Sequence, residues 1–505
     1  MRLQRFLALA ALACSPCLAQ QAPRATTVQL PKGVSYTGHL YLDVDADGRK
    51  DLVLAVRESS PRRRAIHVHL QQQGEPAFVN EPSWPPYPVE ADVVAFTLAD
   101  VGPAKGRELV LFTPERAVMV TRNEAGTTDY AVLFPHRIVW PAAERDAVLA
   151  LPDARIDLDG NGSEDLLLPE PDGALLVANP AGGDAQRRFA LQLPAWVSPI
   201  ASATNGAAAM NGDSLRVQFE SDDDESGADE RKRATTPLVT LFTRTPAPQL
   251  LDLEGDGTAE LVSVRNRRLH ALALDGSSRA VHRDLPFPQD RLALFDPSFD
   301  VQLVDVDGDR RLDLLLSSSA SRNDEVEVRM DLYRTAADGT WPTKPDSRLR
   351  TQTLARPPQV VDVDGDGTLD LVACTLRIDA LRALTGGGSE VALEVQVNVF
   401  RGTGERFVTP ALLNQVLRLP TKSERGGGAF LQVLPAAGGE LPALLHREGD
   451  ALVLQPFEPD GSKVRLGNPV RRLPIADRAR PVMLDTDRGE VLVTGATEVL
   501  FVRMR

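Results

Sequence analysis

Aromatic residues are scarce in this chain, at 5% of 505 residues, so its core must pack on Val, Leu and Ala. There are three cysteines, and Cys14 and Cys17 both lie in an N-terminal segment that reads as a targeting signal. That excludes a disulfide framework and any Cys-rich zinc module. Cys374 stands in an apolar run, where a buried, inert thiol is expected. The seven histidines are scattered, and only His67 and His69 are near neighbours. On a strand these two share a face, but no third metal ligand accompanies them, so a plain strand position is expected. No Gly-x-Ser-x-Gly elbow, phosphate loop or zinc signature occurs. Nothing in the sequence marks a catalytic centre.

Long apolar runs are missing too. Residues 6–13 form the apolar core of a signal segment, with Arg2 and Arg5 before it and Cys17-Leu18-Ala19 as a small-x-small cleavage site. The run is too short to span a bilayer, and no later stretch qualifies. An exported protein, periplasmic or secreted, is expected, with residues 1–19 removed. The alternative is a lipoprotein anchored on Cys14, since Ala11-Leu12-Ala13-Cys14 is a loose lipobox.

What the chain has in quantity is aspartate at alternate positions. Its clearest stretch is Val360-Val-Asp362-Val-Asp364-Gly365-Asp366-Gly367-Thr368-Leu369-Asp370-Leu371-Val372. Four carboxylates within nine residues repel one another unless a cation sits among them. Asp362, Asp364 and Asp366 can point inward from a tight curl, the carbonyl of Thr368 can follow, and Asp370 can close the shell. Calcium accepts six to eight oxygens at flexible angles and suits such a loop better than magnesium, which wants a strict octahedron. An EF-hand would place a Glu at position twelve between helices; here an Asp at position nine leads into an apolar strand.

The stretch repeats. Strong copies are Asp43, Asp45, Asp47 and Asp51; Asp157, Asp159, Asn161 and Asp165; and Asp305, Asp307, Asp309 and Asp313. A weaker copy is Asp252, Glu254, Asp256 and Glu260, whose longer glutamates place their oxygens less well, so the weakest binding is expected there. Three further copies keep the strand–loop–strand rhythm without the ligands: Asp100 to Glu108, residues 430–445, and Asp485 to Glu490. Copies begin at 43, 100 and 157, and again at 252, 305 and 362, at steps of 53 to 57 residues. A period near fifty with several short strands per unit predicts propeller blades.

The Asp-x-Asp-x-Asp-Gly-x-x-Asp-Leu copies resemble the calcium loops of FG-GAP/VCBS repeat proteins, whose best-known relatives are the integrin alpha-chain propellers. The Phe-Gly and Gly-Ala-Pro landmarks of the integrin form are absent, so the resemblance is to the bacterial VCBS-like form and integrin partners do not carry over. The fold expected is all-β: a single β-propeller over residues 26–505, with eight four-stranded blades, or seven if the faint copy near 430 is not a blade. The last blade needs a fourth strand, and the β-prone Thr26-Thr-Val-Gln-Leu30 is expected to supply it. Four or five Ca2+ ions are expected.

The step from 157 to 252 is longer than a blade. Its excess falls at residues 199–236, where a mixed charge run predicts a solvated insertion. Glycine-rich stretches at 386–388 and 426–428 predict hairpin tips. Net charge is −14, but the four strong copies alone hold fifteen acids, and four divalent ions would bring the total to −6. The acidity is mainly a ligand inventory, and it argues against nucleic acid as a partner. Two functions stay open. One is an exported binding, adhesion or scaffold module for a protein or polysaccharide, expected to be monomeric. The other is a carbohydrate-active enzyme or lectin, although the paired carboxylates are already claimed by the metal loops.

Overall fold

The computed structural model describes residues 24–505 except 60–61, 75, 103–104, 123–127, 137–147, 152–153, 158–162, 171–172, 183–186, 192–196, 199–214, 220–236, 242, 245–248, 266–267, 274–279, 287–298, 323–324, 353, 355, 377–390, 422–429, 438, 477–478 and 496–497. The segment expected to be a signal, Cys14 and both glycine-rich stretches expected to be hairpin tips fall outside the described residues, as does most of 199–236, where an insertion is expected. Strands account for the fold, and no helix is found among the described residues. None therefore is long and apolar enough to cross a membrane.

Eight antiparallel blades form a β-propeller. Blade 1 comprises Val34–Leu42, Asp51–Ser59, Arg62–His69 and Tyr87–Val89. Blade 2 comprises Ala95–Ala99, Glu108–Phe112, Arg116–Arg122 and Thr128–Pro135. Blade 3 runs from Arg155–Ile156 through Asp165–Glu170 and Gly173–Ala178 to Arg187–Leu191. Blade 4 has Gln249–Leu251, Glu260–Arg265, Arg268–Ala273 and Ala280–Asp284. Blade 5 has Phe299–Val304, Asp313–Arg322, Glu325–Tyr333 and Ser347–Thr351. Blade 6 has Gln359–Val361, Asp370–Leu376, Val391–Phe400 and Leu413–Thr421. The copy near 430 is indeed a blade. Blade 7 has Leu431–Leu434, Ala443–Glu448 and Ala451–Asp460, with its outermost place shared by Lys463–Leu466 and Arg471–Pro474.

Blade 8 closes the ring. Its chain-terminal strands Arg480–Asp485, Glu490–Thr494 and Glu498–Arg503 are completed by Arg24–Gln29, which pairs antiparallel along the last of them, Arg24 opposite Arg503 and Gln29 opposite Glu498. Val28 is fully buried in this seam and Leu30 nearly so.

The core is a ring of apolar clusters, one between each pair of neighbouring blades. This explains why the second strands are apolar at successive positions. Side chains alternate faces along a strand, and both faces here meet a neighbouring blade. Leu52, Leu54 and Val56 pack toward blade 8, whereas Val53 and Ala55 pack toward blade 2. Leu314 and Leu316 face blade 4 while Leu315 faces blade 6. Among the described residues the cluster between blades 3 and 4 has four buried members, Ile156, Leu167, Leu176 and Leu261, and it is where the chain inserts two extra two-stranded ladders.

Two local features have simple causes. Val391–Phe400 alternates and so reads as a half-exposed outer strand, yet it is the third strand, paired on both edges, with Val395, Val397 and Val399 fully buried. The alternation arises because polar Gln396 and Asn398 are partnered within the sheet, where Gln396 bonds Asn398 and Asn414. In addition, Leu149–Ala150 adds a parallel strand to blade 2 at Ala95–Phe96, a two-residue pairing too short to leave a pattern. Cys374 is buried as expected, and burial pushes its thiol up to about 11.

Candidate metal centre

The aspartate stretches at Asp43, Asp252, Asp305 and Asp362 each form the loop between the first and second strands of a blade. The curl requires a left-handed backbone at its fourth and sixth residues. In the Asp362 loop glycines supply it, Gly365 at φ 76° and Gly367 at φ 85°; elsewhere Ala46 and Arg310 adopt it without being glycine. The aspartates hold the curl by accepting backbone N–H bonds. Asp362 accepts from Gly365 and Gly367, Asp364 from Asp366, and Asp366 from Thr368, at 2.7–3.3 Å. The Asp43 and Asp305 loops repeat these bonds.

Among the described residues three groups of carboxylates result: Asp43, Asp45 and Asp51; Asp305, Asp307 and Asp313; and Asp362, Asp364 and Asp370. Within each, one oxygen per residue lies within 4.8 Å of the others. At calcium–oxygen distances of about 2.3–2.6 Å, two oxygens on one ion are never more than about 5 Å apart, so the donors fit a single cation. These clusters can hold a metal ion. Asp47, Asp309 and Asp366, the third aspartates, stand outside the groups. Asp47 pairs with Arg49, and Asp309 with Arg311 at 2.7 Å. Partner arginines also reach ligands within the groups: Arg401 meets Asp364 at 2.7 Å and Arg334 meets Asp307 at 3.5 Å.

The Asp252 loop has the same backbone bonds, with Asp252 accepting from Asp256 and Gly257. Among the described residues its side chains form no such group; Glu254 meets Arg283 at 2.9 Å and Glu260 accepts from Leu253 N. In the Asp157 loop, Asp159 and Asn161 lie outside the described residues; Asp157 is exposed and Asp165 is buried, accepting from Asn179 N. His67 and His69 sit buried on the third strand of blade 1, and no third metal ligand joins them among the described residues.

The last aspartate of each loop has a second task that the sequence did not reveal. Asp370 is fully buried and takes the N–H of Val363 on one oxygen and of Gly402 on the other, at 3.0 and 2.9 Å. It thus ties its own loop to the end of the third strand. Asp51 does the same with Val44 and Gln71, and Asp313 with Val306 and Thr335. The second strand begins with an acid in seven blades, at Asp51, Glu108, Asp165, Glu260, Asp313, Asp370 and Glu490, and with Ala443 in the eighth. Blades 2 and 8 keep it although their loops have lost the ligand pattern. There Glu108 accepts from Val101 and Gly102, and Glu490 from Tyr41 and Arg503. The signal was present in the sequence as Glu108 and Glu490, acids persisting where ligands had gone.

Burial, reinforced by the other loop aspartates, pushes Asp51, Asp313 and Asp370 up to about 6. A cation among the carboxylates would reverse that direction.

The double task makes a prediction. Asp370→Ala leaves two buried N–H groups without acceptors, each costing about 1–3 kcal/mol, so it should destabilise the protein in chelator by about 2–6 kcal/mol. Asp364→Ala should cost much less there, since it removes a ligand and not the tie. Glu108→Ala should be destabilising with or without calcium. Urea unfolding of the three variants checks this, and equal costs for Asp370→Ala and Asp364→Ala in chelator would contradict it.

The loops share one face, because neighbouring loops touch around the ring. Arg107 N donates to Val44 O, Glu164 N to Asp100 O, and Leu312 N to Leu253 O, at 2.7–3.3 Å. Against this geometry, a family model described as "FG-GAP-like repeat" matches residues 305–373, which span the two successive loops at Asp305 and Asp362. The chain is a β-propeller that carries an FG-GAP-like repeat over residues 305–373. No curated protein matches it. Among solved structures, the FG-GAP propeller is similar to the crystal structure of BBS1N in complex with ARL6DN, soaked with lead, at 10% identity over 95% of this chain and 98% of that one, with a TM-score of 0.30. It is also similar to a protein from Lactobacillus plantarum, at 10% identity over 90% of this chain and 98% of that one, with a TM-score of 0.25. Likenesses that low carry no functional weight for the FG-GAP propeller.

Proposed function

We propose that this FG-GAP propeller is an exported, calcium-binding module that holds a protein or glycan partner and works as a monomer. The observation that carries it is the set of three oxygen-only clusters repeated on one face of a closed ring. Hard oxygen donors without nitrogen or sulfur suit calcium, and the irregular angles of a curled loop suit it better than magnesium. Asp43, Asp45 and Asp51, with their counterparts at 305–313 and 362–370, would hold the ions. Bound calcium supplies charge neutralisation and loop rigidity. The chain's own part is to pre-curl the loops through N–H bonds, so that less ordering is left to the ion. Export is supported by Arg2, Arg5 and the apolar residues 6–13. Outside the cell, millimolar calcium would keep even modest sites loaded, since extracellular modules bind with Kd of about 10⁻⁴–10⁻³ M.

Binding is favoured over catalysis because charged groups lining a cavity of about 420 Å³ are already engaged. There Glu490 pairs with Arg503, and Arg505 bonds backbone carbonyls. The test is an array of glycans and cell-surface proteins probed with the mature chain in calcium and in chelator. Calcium-dependent retention on one ligand class is expected. Binding indifferent to chelator, or turnover of an arrayed polysaccharide, would contradict the proposal.

A further inference from the structure

Three first-to-second loops, in blades 2, 7 and 8, lack the aspartate set, yet each holds a positive charge contributed by the chain. In blade 2, Arg107 donates to Asp43 O of the loop before it. It also forks onto Glu164 of the loop after it, with Nε and Nη2 2.8–3.2 Å from the two carboxylate oxygens. Glu164 in turn accepts Asp100 N at 2.9 Å. In blade 8, Lys50 reaches across from the blade 1 loop to Asp485 at 2.8 Å, beside the Tyr41 ring. In blade 7, the guanidinium of Arg505 donates to Pro435 O, to Leu434 O at 3.2 Å and to Leu441 O at 3.0 Å, with Glu440 3.8 Å away.

The Arg505 arrangement is the most telling. Backbone carbonyls and a carboxylate are the donor types an oxygen-seeking metal takes, and here they converge on a side chain that is 5% exposed. A guanidinium is permanently charged and carries five N–H donors in a rigid fork, so it can bind several oxygens at once. We infer that Arg107, Lys50 and Arg505 are built-in cations standing in for metal at the loops without ligands. The joints between blades 7 and 8 and between blades 2 and 3 thereby carry a cation of their own, whereas the metal loops of blades 1, 5 and 6 depend on calcium. The two ends of the ring pair within blade 8, so loss of calcium loosens those loops without opening the closure. The contrast with blades 5 and 6 rests on the calcium proposal above; the built-in cations do not.

Hydrogen–deuterium exchange of the full propeller in calcium and in chelator separates the two claims. In the native chain, chelator should speed exchange at least ten-fold for amides of the 305–313 and 362–370 loops. It should leave Val101, Leu434, Glu440 and Leu441 within two-fold. Arg505→Met should speed the amides of Leu434, Glu440 and Leu441 at least ten-fold, equally in both conditions, and Arg107→Met those of Val101 and Glu164. Arg505→Lys keeps the charge but loses the fork, and should loosen the same amides by a smaller factor. The inference is overturned if these substitutions leave exchange unchanged, or if chelator loosens the blade 7 and 8 loops as much as those of blades 5 and 6. If chelator loosens no loop while the substitutions still act, the built-in cations stand and the calcium proposal falls.

Discussion

A chain starting at Lys32 should melt well below one starting at Gln20, and should associate where the longer chain stays monomeric. The shorter chain lacks Arg24–Gln29, the outermost strand of blade 8. Six residue pairs along Glu498–Arg503 would be lost, leaving that strand a bare edge with free N–H and C=O groups, a template for pairing with other chains. Buried Val28 and Leu30 would go as well, and each such side chain contributes about 1.5–3 kcal/mol of burial. Phe501 and Phe78, packed edge to face at 5.0 Å, would lose neighbours in the same cluster. Thr26 Oγ1 also accepts Ala77 N, and Asn80 Oδ1 accepts Gln29 N, so the strand braces a blade 1 loop too. A loss of about 3–6 kcal/mol follows from the two apolar side chains alone. Thermal melts with light scattering check it; equal melting temperatures and equal monodispersity would show that the closure has no stabilising role.

Much of this architecture was legible because the loop chemistry repeats. Aspartates at alternate positions can be tolerated only where the chain curls around something, so their spacing marked the hairpins of successive blades. The closing strand was legible from a deficit: three strands near 482–504 and one unassigned β-prone segment at 26–30. What stayed hidden depends on contacts between distant residues. That Arg505 would reach Leu434 and Lys50 would reach Asp485 follows only once the ring is closed. The tie made by Asp370 requires knowing that Gly402, after the third strand, returns beside the loop. That the third aspartates, Asp47, Asp309 and Asp366, stand outside their groups is something alternation alone does not reveal.

Removing calcium should have the second large effect. A ligand that binds only the folded state adds RT ln(1 + [L]/Kd), about 1.4 kcal/mol per independent site at ten times Kd, so three sites contribute about 4 kcal/mol. The effect should depend on pH in a defined direction. Without the ion, Asp51, Asp313 and Asp370 titrate near 6, above the ordinary carboxylate range. A raised carboxyl favours the folded state while protonated, and that stability is lost as pH rises through about 6. The chelated protein should therefore melt higher at pH 5 than at pH 7. The calcium-loaded protein loses ions to protons over the same window, so the gap between the two should narrow toward pH 5.

The most direct measurement is the number of calcium ions per folded chain, by elemental analysis after equilibration in millimolar calcium and removal of free ion. The three assembled groups predict at least three. The Asp157 loop is expected to hold a fourth, and the Asp252 loop to be the weakest. Fewer than three ions per chain would contradict the reading of these loops as calcium sites.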